Sequence, residues 1–414
     1  MSAEAEIVRL AASYPRRGRR ASLDAVFRLR ERLPEVASPP ATVAVVGTNG
    51  KTSASTYLAR LLTAVGRRAG LYVSPHLGRW TERVRIDDAP CDPDELLRTL
   101  LAVDGVARAA SGEDLEQLRF FDVLTLAAER LFADAGVEVA VFEAGIGGRL
   151  DAVRALSPRL VLLTSVALDH AEILGERLSE ILAEKLLVAP AGATVLSFRL
   201  GADLEARARE VAADAGLRIS WLDSPSERQR RSVPELPAYL ASAFVLAEGA
   251  AEALGASPAS GGGVVDLHLP GRFELGERDG VPYLLDAAHN EAAWMALSEE
   301  LSRRAADLGE MPAVALLSVS PDKRREGLAA ALRAMPGLRE AIVTSHESMP
   351  AEDAGRVAAE LTAAGLPARA VNGVGSALEL ALRDAAAIGA RVVVFGSSHL
   401  VGEVRVQLSR SLPS

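Results

Sequence analysis

The chain has 414 residues, more than a single hydrophobic core usually supports, which predicts two domains. Aromatic residues make up only 4% and the formal net charge is -9, which excludes a nucleic-acid-binding protein. The single cysteine, Cys91, rules out an intramolecular disulfide, and no signal peptide opens the chain, so we expect a cytoplasmic protein. No apolar run approaches the roughly 20 residues that cross a bilayer, so no membrane role is expected.

The first half of the chain has the pattern of an α/β domain. An arginine-rich stretch, residues 7–33, predicts one or two helices, and its basic cluster at 16–20 indicates a solvated face. From residue 42 onward, short β-branched runs alternate with Ala- and Leu-rich stretches, which is typical of a mostly parallel sheet with crossover helices. The predicted strands are 42–46, 71–73, 137–143, 160–166 and 194–198, and the predicted helices are 51–65, 93–110, 121–135 and 178–188.

A break in the pattern separates a second, smaller α/β domain. Residues 257–263 combine Ser, Pro and three successive glycines, which hold regular structure poorly and predict a linker. We therefore expect domains at 1–262 and 263–414. Strands are predicted in the second domain at 283–286, 313–319, 341–344 and 391–395, again alternating with helical stretches.

The most informative segment is Gly47-Thr48-Asn49-Gly50-Lys51-Thr52-Ser53, which lies between a predicted strand and a predicted helix. In such a loop, backbone N–H groups surround a phosphate, the lysine supplies charge, and a following hydroxyl can face magnesium. The alternative is a glycine turn without a ligand. That alternative does not account for Lys51 or for the position of the segment between a strand and a helix. The segment predicts an ATP site with contacts from Thr48, Asn49, Gly50, Lys51, Thr52 and Ser53, and it leaves a kinase, an ATPase and a ligase open.

Further motifs follow in order along the chain. They are Ser74-Pro75-His76-Leu77, Glu82-Arg83-Val84-Arg85-Ile86, the stretch from Glu143 through Gly145-Ile146-Gly147-Gly148-Arg149-Leu150-Asp151, Asp169-His170, and Glu184-Lys185. Together with the phosphate loop, these segments resemble the signatures of folylpolyglutamate and dihydrofolate synthases, a branch of the Mur ligase superfamily. The resemblance implies a P-loop Mur-ligase-like central domain with a mostly parallel sheet and a smaller Rossmann-like C-terminal α/β domain.

The resemblance also implies the roles of the metal-site residues. Ser74 and Glu143 would help to hold one Mg²⁺ ion and His170 a second, although a lone histidine is more often structural and magnesium prefers oxygen ligands. Lys51 and His170 are candidate catalytic residues. Lys185 would be carbamylated, an N6-carboxylysine whose added carboxylate orients the second ion. The alternative for Lys185 is an exposed helical lysine paired with Glu184 or Glu180.

In the second domain, the resemblance assigns Arg272 to the nucleotide phosphates and Asp286 to the ribose. His289 and Asn290 would lie near the incoming amino acid. An arginine suits phosphate because its planar fork donates two parallel hydrogen bonds. The alternatives are a linker charge for Arg272 and helix capping for Asn290, which asparagine does well.

The implied function is an ATP-dependent ligase that joins L-glutamate to a pterin or folate carboxylate through an acyl phosphate, acting as a monomer. Three departures concern the acceptor: Thr52 stands where the folate enzymes usually have glycine, Val153-Arg154 where they have Thr-Asn, and Glu291 where they have proline. A related ligase with a non-folate acceptor therefore stays open. So does a catalytically inactive nucleotide-binding module, although Ser74, Glu143, His170 and Lys185 are all present in order.

Overall fold

The structure, a computed structural model, describes residues 2–15, 21–34, 41–110, 112–223, 233, 236–256, 265–321, 323, 325–346 and 351–409. The basic cluster at 16–20 and the predicted linker at 257–263 lie outside these residues. Contacts divide the chain into two units: Met1–Ser74 with Arg79–Leu267, and Pro75–Gly78 with His268–Ser414. The second unit thus includes a four-residue segment that the sequence assigns to the first domain.

The first unit is built on an eight-stranded sheet with the order β4-β3-β2-β5-β1-β6-β7-β8. Its strands are β1 Ala41–Val46, β2 Ala69–Tyr72, β3 Val84–Ile86, β4 Ala89–Pro90, β5 Val139–Glu143, β6 Leu160–Leu163, β7 Thr194–Phe198 and β8 Arg218–Leu222. Strands β2, β5, β1, β6, β7 and β8 are parallel, whereas β3 and β4 form an antiparallel edge. The central strands are buried on both faces, as expected where crossover helices cover a parallel sheet.

Ten helices of the first unit lie within the described residues: Ala3–Ala12, Asp24–Arg32, Lys51–Ala64, Pro93–Arg108, Gly112–Gln117, Phe120–Asp134, Ala171–Leu174, Leu178–Leu186, Ala202–Ala215 and Ala238–Ala253. Short 3₁₀ turns occupy Trp80–Arg83 and Ala152–Leu156. Local sequence sets several of the boundaries. For example, the Asp92 carboxylate accepts the N–H groups of Asp94 and Glu95, and Pro93 occupies the first helical position.

The second unit has a six-stranded sheet with the order β13-β12-β11-β14-β10-β9. Its strands are β9 Glu274–Arg278, β10 Val281–Leu285, β11 Ala313–Leu317, β12 Leu338–Val343, β13 Ala368–Ala370 and β14 Arg391–Phe395, and all are parallel except β9. Its helices are Glu291–Arg303, Leu328–Ala334, Ala354–Ala363, Val374–Ile388 and Ser398–Ser409. Among the residues described in either unit, no helix combines the length and apolar character needed to cross a bilayer.

The predicted α/β class with mostly parallel sheets is confirmed. The predicted strand at 160–166 is too long, because β6 ends at Leu163 and the residues that follow turn to hydrogen-bond the phosphate loop. Strand β8 and the antiparallel edge strands β3, β4 and β9 were not predicted from the sequence. The predicted domain boundary at 262/263 stays a prediction, because it falls in a stretch that the structure does not describe.

Candidate functional site

The phosphate loop forms the turn between strand β1 and the helix Lys51–Ala64. Gly50 precedes the helix with a φ of 83°, a left-handed conformation that glycine adopts without steric penalty. A methyl group on Gly47 would lie 1.8 Å from Oγ1 of Thr164, so only glycine fits there. The first N–H groups of a helix lack intrahelical partners and favour a bound anion. The loop therefore has the geometry of a phosphate-binding turn.

The segment after strand β6 supports this loop. The N–H of Thr48 donates to the Ser165 carbonyl at 2.9 Å, and the N–H of Asn49 donates to the Ser165 hydroxyl at 2.9 Å. The Thr48 hydroxyl donates to the Ala167 carbonyl at 3.1 Å and accepts from the Ala167 N–H at 3.0 Å. The Thr164 hydroxyl donates to the Asn49 carbonyl at 2.7 Å. The segment between strand β6 and His170 thus fixes the shape of the phosphate loop.

Lys51 lies over the same loop. Its Nζ donates to the carbonyl oxygens of Gly47 and Thr48, each at 3.1 Å. These contacts keep the ammonium beside the backbone N–H groups at the start of the helix. The loop therefore combines a fixed cation with oriented donors, as a phosphate site requires.

Glu143, the last residue of strand β5, lies at the centre of a polar cluster. Its carboxylate is buried, with 2% of the residue exposed. The Thr52 hydroxyl lies 3.1 and 3.0 Å from its two oxygens, and the N–H of Ser74 donates to Oε2 at 3.1 Å. Strands β1, β5 and β2 are neighbours, so their carboxyl ends bring these three residues together. Of the two hydroxyls that follow Lys51, the Thr52 hydroxyl contacts this carboxylate, while Ser53 is buried in the helix.

The oxygen atoms of this cluster fit a magnesium ion. Magnesium prefers oxygen ligands, keeps several waters and needs only one or two carboxylates when a phosphate is bound. Within the described parts of the chain, no three His, Cys, Asp or Glu side chains gather into a metal-binding group. A cation here would therefore depend on the Glu143 carboxylate, on the Thr52 hydroxyl, and on water and phosphate oxygens. The predicted metal contact of Ser74 stays a prediction, because its observed contact with Glu143 is made by the backbone N–H.

His170 lies between two acidic side chains. It precedes the short helix Ala171–Leu174 and has a φ of 50°, which is uncommon outside glycine. Its Nε2 lies 3.9 Å from Oδ1 of Asp169, and its Nδ1 lies 3.8 Å from Oε1 of Glu172. The predicted metal contact of His170 stays a prediction.

Lys185 is a buried lysine in the last turn of the helix Leu178–Leu186, with 3% of the residue exposed. The pKa of the Lys185 amine is lowered to about 7, chiefly by burial and also by the charge on Lys51, whereas Asp169 and Asp151 oppose the shift. The alternative of an exposed lysine is therefore wrong. The suggested partner Glu184 instead lies 2.8 Å from Nε of Arg149.

The glycine loop after strand β5 connects Glu143 to the helix of Lys185. A methyl group on Gly148 would lie 2.6 Å from the Lys185 carbonyl oxygen, so loop and helix backbones touch. Asp151 closes the loop by accepting the N–H of Gly145 at 2.8 Å and of Ile146 at 3.3 Å. Burial raises the pKa of Asp151 to about 6, against the opposing effect of these hydrogen bonds. This motif was recognisable in the sequence, but no role for Asp151 was predicted from it.

In the second unit, Asp286 holds the turn that carries Arg272. Its two carboxylate oxygens accept the N–H of Phe273 and of Ala288, each at 2.8 Å. Asp286 is itself buried at the end of strand β10. Arg272 lies on this turn, and the Ala287 N–H donates to the Gly271 carbonyl at 2.9 Å. The two predicted nucleotide contacts therefore belong to one rigid corner of the fold.

His289 and Asn290 follow directly along the chain. The His289 Nδ1 lies 2.8 Å from the Ala287 carbonyl oxygen. The Asn290 side chain accepts the Ala293 N–H at 3.0 Å and so caps the helix Glu291–Arg303. The capping alternative for Asn290 is thus observed.

A cluster of histidine and serine side chains lies at the carboxyl ends of β12 and β14. The Ser397 hydroxyl lies 3.1 Å from Nε2 of His346, and the rings of His346 and His399 are 5.5 Å apart. Burial lowers the pKa of His346, and Glu403 opposes the shift. His346 was not predicted as part of a site, because no local motif marks it.

Comparisons with known proteins agree with this arrangement. Residues 271–398 match the family model of the Mur ligase glutamate ligase domain. A probable bifunctional folylpolyglutamate synthase/dihydropteroate synthase from Haloferax volcanii is 34% identical over 61% of this chain, which spans only 33% of that relative's length. A structure of the bifunctional folylpolyglutamate synthase/dihydrofolate synthase from Yersinia pestis, complexed with AMPPNP and a Mn ion, is 27% identical with a TM-score of 0.80, covering 99% of this chain and 98% of that one.

Another similar relative is the dihydrofolate synthase/folylpolyglutamate synthase of Mycobacterium tuberculosis. It is 30% identical over 353 residues, which cover 75% of this chain and 71% of the relative. A match over three quarters of the chain includes parts of both units, because neither unit alone is that long. The chain therefore belongs to the dihydrofolate synthase/folylpolyglutamate synthase family of the Mur ligase superfamily.

Proposed function

We propose that this protein is an ATP-dependent ligase that adds L-glutamate to a pterin or folate carboxylate through an acyl phosphate. The observation that carries the proposal is the cluster of Thr52, Ser74 and Glu143 at the start of the phosphate-loop helix. The Glu143 carboxylate and the Thr52 hydroxyl would supply oxygen ligands to a metal ion beside the terminal phosphate of a nucleotide.

In the proposed reaction, a carboxylate oxygen of the acceptor attacks the γ-phosphorus of ATP, and the bond to the β-phosphate oxygen breaks to release ADP. The amine of glutamate then attacks the acyl carbon, phosphate leaves, and the amine proton passes to solvent. Lys51 and the N–H groups of the loop would bind the phosphates, and Glu143, Thr52 and Ser74 would hold one Mg²⁺ ion. That ion, when bound, offsets negative charge on the transferring phosphoryl group.

The second proposed Mg²⁺ site would use His170 and a carbamylated Lys185. Carbamate formation needs a neutral amine, and the pKa of about 7 supplies that form near neutral pH. Burial of Lys185 would also protect the carbamate from water. Replacing Lys185 by alanine should abolish turnover and allow partial rescue by added short carboxylates. A ¹³C signal in the carbamate region after incubation with ¹³C-bicarbonate, lost in that variant, tests the modification directly.

For the second unit, we propose that Arg272 binds nucleotide phosphate and that Asp286 contacts the ribose. The two backbone hydrogen bonds fix the orientation of the Asp286 carboxylate on the turn that carries Arg272. His289 and the amide nitrogen of Asn290 are proposed to contact the incoming amino acid. A monomeric state and a cytoplasmic location belong to the same proposal and are testable by light scattering and by fractionation.

Mass spectrometry of products tests the function. The protein is incubated with MgATP, L-glutamate and either dihydropteroate or tetrahydrofolate, with other amino acids in parallel. A glutamyl adduct formed together with one ADP supports the proposal and separates synthase activity from chain extension. ADP release without a folate adduct would favour a different acceptor, and no acceptor-stimulated ADP release would favour an inactive nucleotide-binding module.

A further inference from the structure

The glycine loop after strand β5 is joined to the helix Leu178–Leu186 by an arginine that none of the roles described above uses. The Arg149 N–H donates to the Glu184 carbonyl at 2.8 Å, and its Nε donates to the Glu184 carboxylate at 2.8 Å. Glu184 directly precedes Lys185 in the last turn of that helix. Arg149 therefore binds both the backbone and the side chain of the residue next to the buried lysine.

The ion pair of Arg149 and Glu184 lies where two backbones already touch. A methyl group on Gly148 would lie 2.6 Å from the Lys185 carbonyl oxygen and 2.8 Å from that of Glu184, so the loop approaches the helix closely. An isolated ion pair with side chains 43% and 22% exposed would contribute little to stability. Here the pair adds to a contact that a glycine and a backbone hydrogen bond have already ordered.

Arg154 also supports this loop. Its Nη1 donates to the Arg149 carbonyl at 3.0 Å, so Arg149 is held through its N–H, its carbonyl and its side chain. Asp151 lies between the two arginines in the chain and accepts the N–H groups of Gly145 and Ile146. Arg154 stands where the folate enzymes usually have asparagine. This departure therefore has a structural contact beside the helix of the buried lysine.

The loop contacts both segments of the second proposed Mg²⁺ site. A methyl group on Gly147, which has a φ of 73°, would lie 2.8 Å from Cδ2 of Leu174. Leu174 ends the short helix that follows His170. The loop thus touches the helix after His170 as well as the end of the helix that carries Lys185.

The burial of Lys185 needs an explanation, because lysine is almost never fully buried unless other groups hold it. Only 3% of Lys185 is exposed, although it lies near the end of its helix, where helices fray. We propose that Arg149, held by Glu184 and Arg154, is a positioning residue that keeps Lys185 buried in the proposed site. The consequence for catalysis rests on the proposed function, whereas the protection of Lys185 can be measured without it.

The composition of the chain allows a direct test, because its three lysines are Lys51, Lys185 and Lys323. Acetic anhydride in carbonate-free buffer at pH 9, followed by peptide mass spectrometry, gives the modification rate of each amine. A buried amine reacts only after local opening, so the rate at Lys185 reports how often it leaves its buried position. Lys51 in the first unit and Lys323 in the second are internal references, because general loosening would speed the reaction at all three.

The variants are Arg149→Gln, Arg154→Asn and the charge swap Arg149→Glu with Glu184→Arg. The matched control is Arg130→Gln, because Nε of Arg130 pairs with Asp134 at 3.1 Å within the helix Phe120–Asp134. Arg149→Gln should raise the rate at Lys185, relative to the two reference lysines, by about fivefold, the effect of losing one ion pair on local opening. We expect a smaller rise in Arg154→Asn, partial recovery in the charge swap and no change in the control.

An Arg149→Gln protein that protects Lys185 as the wild type does overturns the inference, and so does an equal rise at all three lysines. In the ligase assay, the same variant should need about tenfold more Mg²⁺ for half-maximal ADP formation, as when the support of a metal site is lost. Wild-type magnesium dependence in a variant that has lost the protection would overturn the link to catalysis. A wild-type protein that protects Lys185 but forms no glutamyl adduct overturns the proposed function and leaves the positioning role intact.

Discussion

The hydroxyl of Thr52 lies within 3.1 Å of both carboxylate oxygens of Glu143, although 91 residues separate the two along the chain. Thr52 is the first hydroxyl after the phosphate-loop lysine, and Glu143 ends the neighbouring strand β5. In a phosphate-loop enzyme, such a pair is where a hydroxyl and an acidic residue share a magnesium ion. The contact therefore joins two parts of the proposed site that the sequence presents separately.

Replacing Glu143 by glutamine should reduce acceptor-dependent ADP formation by about 10²–10³-fold, the usual effect of removing one main electrostatic stabiliser. Glutamine has almost the same shape and keeps an oxygen acceptor, so the melting temperature should change little. Thr52→Ser retains the hydroxyl and serves as the control, with activity expected close to wild type. The measurement is ADP formation over a magnesium titration. A Glu143→Gln variant with the magnesium dependence of the wild type would show that Glu143 is not a metal ligand.

Substituting alanine for Gly47 should destabilise the protein by about 1–3 kcal/mol, as overpacking does, and weaken nucleotide binding. The new methyl group would overlap Oγ1 of Thr164, whose hydroxyl supports the loop. Gly105→Ala is the matched control, because this glycine lies within the helix Pro93–Arg108 and has no atom within 4 Å of an added methyl group. There the change should stabilise the protein by about 0.5–1 kcal/mol. Urea unfolding and nucleotide titration of both variants check the pair, and equal stabilities would contradict the steric argument.

Local motifs made the phosphate loop, Glu143 and most parallel strands predictable, because each depends on a few neighbouring residues. The support of Asn49 by Thr164 and Ser165 was not predictable, since it joins segments more than 100 residues apart. For Lys185, the sequence left an exposed and a site-facing lysine open, and its burial, which depends on tertiary packing, excludes the exposed one. His346 has no motif around it, and strand order alone brings it to Ser397.

The buried amine of Lys185 should make stability depend on pH. The unfolded chain keeps this proton up to about pH 10.5, whereas the folded protein releases it near pH 7. Between these values the unfolded state binds more protons, so the free energy of unfolding contributed by this group rises with pH. The Lys185→Met variant should therefore be more stable than the wild type. The difference in the free energy of unfolding should be largest at pH 6 and should shrink toward pH 10. Urea unfolding in carbonate-free buffer measures it, and parallel pH profiles would show that Lys185 is not held neutral.

The cap at Asn290 allows structural and substrate roles to be separated. Replacing Asn290 by alanine removes the acceptor for the Ala293 N–H, so the free energy of unfolding should fall by about 1 kcal/mol. Asn290→Ser keeps a capping oxygen and should restore stability, but it lacks the amide nitrogen proposed to face the amino acid. We therefore expect a raised KM for L-glutamate in both variants, with unchanged KM for ATP, and a stability loss in the alanine variant alone. If the serine variant recovers both stability and the wild-type KM for glutamate, Asn290 acts only as a helix cap. The proposed contact with the amino acid would then involve His289 and not Asn290.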